Sequence, residues 1–203
     1  MTDDFFKITD AIDRAALHST FLKGLIDRQP ALVEAIKTGN FDVSEVEEEM
    51  PVARRLRLDR RAVALTVAIG DLSGLFDLTE VTRRLSAFAD RALDIAIRTA
   101  IAERTPDAES KGFAALALGK QGSFELNYSS DIDPILIYDP DTLPRRGREE
   151  PEEAAVRIGR RVVELLQARD ADGYVLRVDL RLRPSPETTP IVLPVDAAIS
   201  YYE

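Results

Sequence analysis

Apolar residues recur at helical spacing through the first hundred positions of the chain. Phe21 to Ile36 predicts a helix that Pro30 interrupts. A longer helix is predicted from Thr79, as its N-cap, to about Glu103, on the apolar positions Val81, Leu85, Phe88, Ala92 and Ile95. Polar, turn-forming residues at 105–111 follow and mark a candidate boundary. We therefore expect an all-helical N-terminal region over residues 1–107.

Short apolar runs replace the helical pattern after residue 112. Phe113 to Leu118 and Ile135 to Ile137 are predicted strands, with a glycine-containing turn between them. Asp139 to Glu150 is a predicted loop, and Pro151 opens a predicted helix that runs to about Arg169. Its buried stripe is predicted to be Ala155, Ile158, Val162, Leu165 and Leu166. These elements predict an α+β domain over residues 108–203.

Regular alternation of apolar and polar residues begins after Gly173. One face holds Tyr174, Leu176, Val178, Leu180 and Leu182, and the other holds Arg177, Asp179, Arg181 and Arg183, with Val175 at its start. This alternation predicts a half-buried strand with the first set in the core. An acid among arginines on one face is typical of a metal ligand within an anion-binding surface. The alternative is a solvated face with ion pairs along the strand.

Between the first two predicted strands the chain reads Gly119-Lys-Gln-Gly-Ser-Phe-Glu-Leu-Asn-Tyr-Ser-Ser-Asp-Ile-Asp133. Gly122 and Ser123 offer backbone N–H groups to a phosphate. Asp131 and Asp133 project from the same face of an extended strand, where two carboxylates repel each other unless a proton or cation lies between them. Oxygen ligands completed by substrate phosphates suit Mg²⁺, and Asp179 is the candidate third carboxylate. The motif predicts metal-dependent nucleotidyl transfer.

Two segments together resemble a known family. They read Gly119-Lys-x-Gly-x-x-Glu-Leu-Asn-x-Ser-Ser-Asp-Ile-Asp and, some forty residues on, Asp172-Gly-x-Val-x-Arg-Val-Asp-Leu-Arg-Leu-Arg-Pro. They are similar to the bacterial glutamine synthetase adenylyltransferases, which add AMP to a tyrosine of glutamine synthetase and remove it again. Both active domains of that family belong to the DNA polymerase beta-like nucleotidyltransferase superfamily. The spelling around Ser-Ser-Asp-Ile-Asp resembles the N-terminal, adenylyl-removing half.

The resemblance implies a reaction and a set of residues. Inorganic phosphate would attack the α-phosphorus of adenylyl-tyrosine on glutamine synthetase and release ADP. Asp131 and Asp133 would hold Mg²⁺, with Asp179 as third ligand or as activator of the incoming oxygen. The nucleotide- and phosphate-binding candidates are Gly119, Lys120, Gly122, Ser123, Ser130, Arg177, Arg181 and Arg183.

The implied fold is a nucleotidyltransferase mixed sheet with flanking helices behind the helical region. The implied partners are glutamine synthetase, an adenine nucleotide, phosphate and the signalling protein PII. Two alternatives stay open: a transferase that adds adenylyl groups to glutamine synthetase or another acceptor, and a non-catalytic regulatory or binding fragment of the same fold.

Three residues depart from the family pattern. Gln121 and Pro134 stand where the family commonly has leucine, and Ser123 where it has glycine. We expect Gln121 to be a mild polar change in the turn. Pro134 lacks a backbone N–H, which predicts an edge or a bulge directly after Asp133.

Composition narrows the functional class of this 203-residue chain. The net charge of −9 argues against a polynucleotide partner. No cysteine is present, and we find neither a signal peptide nor a long apolar run, so we expect a cytoplasmic enzyme without a membrane span. The acidic run from Glu45 to Glu49 and the single histidine, His18, are expected at the surface. Because Ile199 to Glu203 reads as the opening of a helix, we expect a fragment of a longer polypeptide.

Overall fold

A computed structural model of the chain describes residues 2–42 and 50–203. The acidic run from Glu45 to Glu49 lies outside the described residues. Within these ranges the helices are α1 (Thr2–His18), α2 (Thr20–Arg28), α3 (Pro30–Lys37), α4 (Val52–Leu72), α5 (Leu78–Arg104), α6 (Gly119–Gly122), α7 (Pro151–Gln167) and α8 (Val195–Tyr202). The strands are β1 (Phe113–Leu118), β2 (Asp133–Tyr138) and β3 (Val192–Pro194). None of the helices in the described ranges is both long and apolar enough to cross a membrane.

The contacts divide the chain into two compact units. The first consists of the described residues up to Phe88 together with Phe124–Ser129. Helices α1 to α4 build its core, whose buried members are Ile8, Ala11, Ile12, Ala15, Leu25, Leu32, Val33, Ile36, Ala62, Leu65 and Ile69. Positions 8, 11, 12 and 15 of α1 repeat at helical spacing, so burying them covers one face of that helix.

Polar contacts fix residues 124–129 to the helices of the first unit. The backbone N–H of Leu126 donates to Ser86 Oγ at 3.2 Å. The Tyr128 hydroxyl donates to Asp71 Oδ2 at 2.8 Å. A segment that follows β1 and α6 in sequence therefore packs with the helices that precede them.

The second unit consists of Ala89–Ser123 and Ser130–Glu203 and contains the sheet. The strand order is β1-β2-β3, with β1 antiparallel and β3 parallel to β2. Helix α7 contacts β3, and its predicted stripe is buried as expected. This small mixed sheet with helices confirms the α+β prediction. Residues 105–111 form a loop inside the second unit, so the division at residue 107 stays a prediction.

Several element predictions are confirmed, and one cap is wrong. Strand β1 has the predicted bounds, Pro30 separates α2 from α3, and Pro151 opens α7. The N-cap of α5 is Asp77 rather than Thr79, because the Asp77 carboxylate accepts the N–H of Glu80 at 2.8 Å. An aspartate caps well in this position, since it satisfies a donor that the first helical turn leaves unpaired.

The prediction of a strand over 174–183 is wrong, because this segment forms no ladder of hydrogen bonds with the sheet. Its pairing with the sheet is a single parallel bridge between Ile132 and Val178. In a parallel pair the next bonding residue of the central strand is two positions further on, which is Pro134, and proline has no N–H to donate. The pairing ends there, as the edge expected at Pro134 requires. The facing is also corrected, because Val175 is fully buried whereas Leu182 is 51% exposed.

A set of ion pairs joins the end of α5 to the loop before α7 and to α7 itself. Arg104 Nη2 lies 2.7 Å from both carboxylate oxygens of Glu149, whose side chain is only 7% exposed. Arg157 also donates to Glu149. Arg161 on α7 binds Glu103 on α5 through two hydrogen bonds of 2.7 and 2.9 Å. Glu149 and Arg161 thus fix the loop before α7, and α7 itself, to the end of α5.

Candidate active site

The bridge at Ile132 sets the position of the candidate carboxylates. Ile132 is fully buried. Its backbone N–H donates to Arg177 O at 2.9 Å, and its carbonyl accepts the Asp179 N–H at 2.8 Å. Because the two segments run parallel in this register, Asp131 lies beside Arg177 and Asp133 lies beside Asp179. The structure therefore brings the three predicted aspartates into one neighbourhood.

Two arginines pair with the outer carboxylates of this group. Arg177 Nε donates to Asp131 Oδ1. Arg181 donates from its side chain to Asp179 Oδ2 at 2.8 Å and from its backbone N–H to Oδ1 at 2.9 Å. Those hydrogen bonds hold the pKa of Asp179 below its usual range. Arg177 and Arg181 thus lie where they can also meet an anionic substrate.

Asp133 has the opposite electrostatic character. Burial, and then the neighbouring charges of Asp179 and Asp131, raise the pKa of Asp133, with Arg181 opposing them. The raised pKa means that burial and the two nearby carboxylates disfavour the charged form of Asp133, and an added cation would favour it.

The glycine turn begins beside that carboxylate. Gly119 has φ +55°, and a Cβ there would lie 3.3 Å from Asp133 Oδ2. A Cβ on Gly122 would lie 2.5 Å from the carbonyl oxygen of Ala117, so this glycine permits α6 to pack against β1. The Ser123 hydroxyl donates to Gly119 O at 3.2 Å, Lys120 is exposed, and Ser130 directly precedes Asp131. The turn and the carboxylates therefore meet at Gly119.

Arg183 serves a different part of the molecule. Its guanidinium donates to Pro190 O at 3.1 Å, to Pro186 O at 2.6 Å and to Leu180 O. These carbonyls belong to the loop that leads to β3. The structure thus uses Arg183 to hold this loop, whereas Arg177 and Arg181 lie at the carboxylates.

Two contacts near the site involve residues that sequence reasoning missed. Gln167, the last residue of α7, donates from Nε2 to Val178 O at 2.6 Å and so fixes the segment that contains Asp179. The Tyr174 hydroxyl accepts from Arg177 Nη1 at 3.3 Å. A local sequence pattern contains no signal for the first contact, because a helix end and an extended segment meet there only in the fold.

The position of Gln121 corrects the expectation drawn from the sequence. The residue is 2% exposed, and its Nε2 donates to Asp90 Oδ1 at 2.8 Å. The expected mild polar change in a turn is therefore wrong, since the side chain is buried against α5. Asp90 lies 31 positions earlier in the sequence, so no local pattern links the two.

The three aspartates have the donor chemistry of a divalent-cation site but are not gathered around one point. Within residues 2–42 and 50–203, no three or more His, Cys, Asp or Glu side chains are gathered closely enough to enclose a metal ion. Asp131, Asp133 and Asp179 nevertheless supply only oxygen ligands, and after burial the charges of Asp179 and Asp131 raise the pKa of Asp133. Oxygen ligands completed by phosphate oxygens are what Mg²⁺ prefers. The donor chemistry of the three aspartates therefore fits a divalent cation whose shell is completed by other oxygen ligands.

The chain is similar to known proteins over most of its length. The model of the glutamate-ammonia ligase adenylyltransferase family matches residues 9–203. Three curated relatives share the name bifunctional glutamine synthetase adenylyltransferase/adenylyl-removing enzyme. The Caulobacter vibrioides protein is 43% identical over 169 residues, which are 77% of this chain and 17% of the relative. The Rhizobium meliloti protein is 42% identical over 75% of this chain and 16% of the relative. The Agrobacterium fabrum protein is 35% identical over 86% of this chain and 19% of the relative. The chain thus spans less than a fifth of the length of these relatives.

Proposed function

The chain belongs to the glutamate-ammonia ligase adenylyltransferase family, and from this membership we propose that it forms part of a domain that removes AMP from adenylylated glutamine synthetase. The family resemblance inferred from the two motifs is confirmed. The direction of the reaction, the substrate protein and a cytoplasmic location are our proposals. Regulation by a PII-type signalling protein stays a prediction.

One observation supports the proposal more than any other. Asp133 lies beside Asp179 in parallel register, next to the glycine turn at Gly119, and its pKa is raised by burial and by the two other aspartates. Nucleotidyl transfer needs negative charge crowded in this way, because the enzyme has to hold a cation against the substrate phosphates.

The residues have separate roles in the proposed reaction. Asp131, Asp133 and Asp179 would hold Mg²⁺, which when bound supplies positive charge to the phosphate oxygens of the substrate. Arg177 and Arg181 lie beside Asp131 and Asp179, and with a cation bound there they would be placed to donate to phosphate oxygens, because arginine forks match phosphate geometry. Backbone N–H groups of the turn from Gly119 to Gly122 would support the nucleotide phosphates, whereas the Ser123 N–H already donates to Gly119 O at 3.2 Å. Lys120, the Ser123 hydroxyl and Ser130 are the further polar candidates.

The bond changes balance without a further reactant. An oxygen of inorganic phosphate attacks the α-phosphorus of the adenylyl group and forms a new P–O bond. The bond between that phosphorus and the tyrosyl oxygen breaks, and the tyrosyl oxygen takes up the proton that the attacking hydrogen phosphate gives up. The products are ADP and free tyrosine on glutamine synthetase. Asp179 orients the incoming phosphate oxygen in this scheme.

Analysis of the reaction products distinguishes removal of AMP from its addition. The experiment uses the full-length protein that contains this chain, adenylylated glutamine synthetase, phosphate and Mg²⁺. We expect ADP to be released in proportion to the AMP removed, and we expect no release without phosphate. Incorporation of AMP from ATP, with pyrophosphate as product, would instead support the adenylyl-adding alternative.

Calorimetry tests the nucleotide site on the 203-residue chain itself. We expect Mg²⁺ alone to bind weakly and ADP to bind more tightly with Mg²⁺ than without it, because Mg²⁺ completes its ligand shell with phosphate oxygens. In the matched variant Asp133→Asn the effect of Mg²⁺ on ADP affinity should be lost. Binding of ADP that ignores Mg²⁺, or no binding at all, would favour the non-catalytic alternative.

A further inference from the structure

The segment that contains Asp179 has a backbone partner from the sheet on only one of its two edges. On that edge it forms the single bridge between Val178 and Ile132. In a parallel bridge the residues on either side of the bridged one make the hydrogen bonds, and these are the Arg177 carbonyl and the Asp179 N–H. The Val178 carbonyl therefore points to the opposite edge, where none of the described strands pairs with it.

The end of α7 bonds to this segment. The Leu166 carbonyl accepts the N–H groups of Val175 and Leu176, both at 3.0 Å. Gln167 Nε2 donates to Val178 O at 2.6 Å. The last carbonyls of a helix have no partner within the helix, so the Leu166 carbonyl can accept from the segment. The end of α7 thus takes the place of a neighbouring strand.

The contact of Gln167 is the one that depends on a side chain. The bonds to Leu166 O join backbone groups, which any residue other than proline provides at the donor positions. Val178 O instead accepts from a side-chain amide. Val178 directly precedes Asp179, whose own N–H bonds to Ile132 O at 2.8 Å on the other edge. Gln167 and Ile132 therefore hold the backbone next to the Asp179 carboxylate from two sides.

We propose that Gln167 is a positioning residue for Asp179 and that it holds this carboxylate beside Asp133 from the end of α7. The consequence for activity rests on the proposed function, whereas the contact itself needs no ligand. Groups that orient a metal ligand affect metal affinity although they do not touch the metal. Loss of the Gln167 donor leaves all three carboxylate charges in place but lets Asp179 move.

Hydrogen exchange of the 203-residue chain tests the contact without any ligand. The variant Gln167→Met keeps the length of the side chain and removes its donor. We expect the Asp179 N–H to exchange about fivefold faster than in wild type, because one hydrogen bond less opposes local opening. The N–H groups that pair β1 with β2 should exchange at the wild-type rate.

Glu164→Met is the matched control for this experiment. Glu164 lies one turn earlier on α7 and pairs with Arg161 at 2.9 Å, so its substitution should leave the exchange of the Asp179 N–H unchanged. Unchanged exchange of that N–H in Gln167→Met overturns the proposal. Equally faster exchange throughout the sheet also overturns it, since that result would show a general loss of stability.

The Mg²⁺ dependence of the full-length protein separates positioning from a general loss of activity. We expect Gln167→Met to raise the Mg²⁺ concentration for half-maximal ADP release about tenfold, with most of the rate recovered at saturating Mg²⁺, because the ligand remains and only its orientation is lost. An equal fractional loss of rate at every Mg²⁺ concentration overturns the proposal. If the wild-type protein releases no ADP, the proposed function fails, and the exchange of the Asp179 N–H still decides the role of Gln167.

Discussion

Asparagine in place of Asp133 is expected to lower the rate of AMP removal by the full-length protein at least about a thousandfold, since a lost cation contact of about 4 kcal/mol in the transition state has that effect. Asp133 lies beside Asp179, and its pKa is the one raised by both other aspartates. Asp131→Asn should have the same effect. Initial rates of ADP release at saturating phosphate measure it, with Asp141→Asn in the exposed loop after β2 as the matched control. Activity of Asp133→Asn within a few fold of wild type would contradict the assignment.

The stability of Asp133→Asn distinguishes a lost site from a lost fold. The folded-state pKa of Asp133 is raised by burial and by Asp179 and Asp131. A raised carboxyl pKa means that the charged form is penalised in the folded state, above that pKa, and that protonation relieves the penalty. Asparagine removes the charge at every pH. Urea unfolding at pH 7 should therefore show a midpoint equal to or slightly above that of wild type.

Glu149→Gln is expected to lower the free energy of unfolding by about 3 kcal/mol, more than a substitution in any exposed ion pair of α7. The reason is that removing one partner of a buried ion pair leaves the other charge uncompensated. The Glu149 side chain is 7% exposed and that of Arg104 is 17% exposed. Urea unfolding followed by circular dichroism measures the change. The control is Glu153→Gln, whose side chain is 60% exposed and pairs with Arg157 at 3.4 Å. It should cost less than about 0.5 kcal/mol.

The pH dependence of stability gives Glu149 a second test. Burial alone would raise the pKa of Glu149, but the hydrogen bonds from Arg104 and from the Arg146 backbone N–H outweigh it and lower the pKa. A lowered carboxyl pKa stabilises the folded state above the unfolded value, and this contribution is lost as pH falls through the folded value. Between pH 7 and pH 4 wild type should lose more stability than Glu149→Gln. An equal loss in both proteins would show that the pair does not contribute.

Apolar runs and periodicity predicted the elements that neighbouring residues in the sequence determine. Strand β1, the turn at Gly119 and the stripe of α7 follow from apolar runs and periodicity, and the structure has them where expected. The alternation after Gly173 did not make a ladder, because pairing depends on the partner strand and Pro134 cannot donate. The sequence thus predicted that the three aspartates lie near one another, but it did not predict that Val175 is buried and Leu182 is exposed.

Long-range contacts explain what the sequence could not predict. Arg183 has the spacing of a site arginine, yet carbonyls in the loop before β3 use all of its described hydrogen bonds. Gln121 meets Asp90 on a different element, and Gln167 meets Val178. Side chains that bond across elements leave no periodic trace in sequence, because neither partner is required by its own helix or strand.

The attachment of residues 124–129 to the helical unit has a consequence for synthesis and for dissection of the protein. Leu126 and Tyr128 contact Ser86 and Asp71, so a nascent chain that ends before residue 124 lacks part of the packing of its first unit. Expression of residues 108–203 alone would likewise separate this segment from Ser86 and Asp71, and Gln121 from Asp90. A single cut cannot divide two units between which the chain passes three times, at 88/89, 123/124 and 129/130.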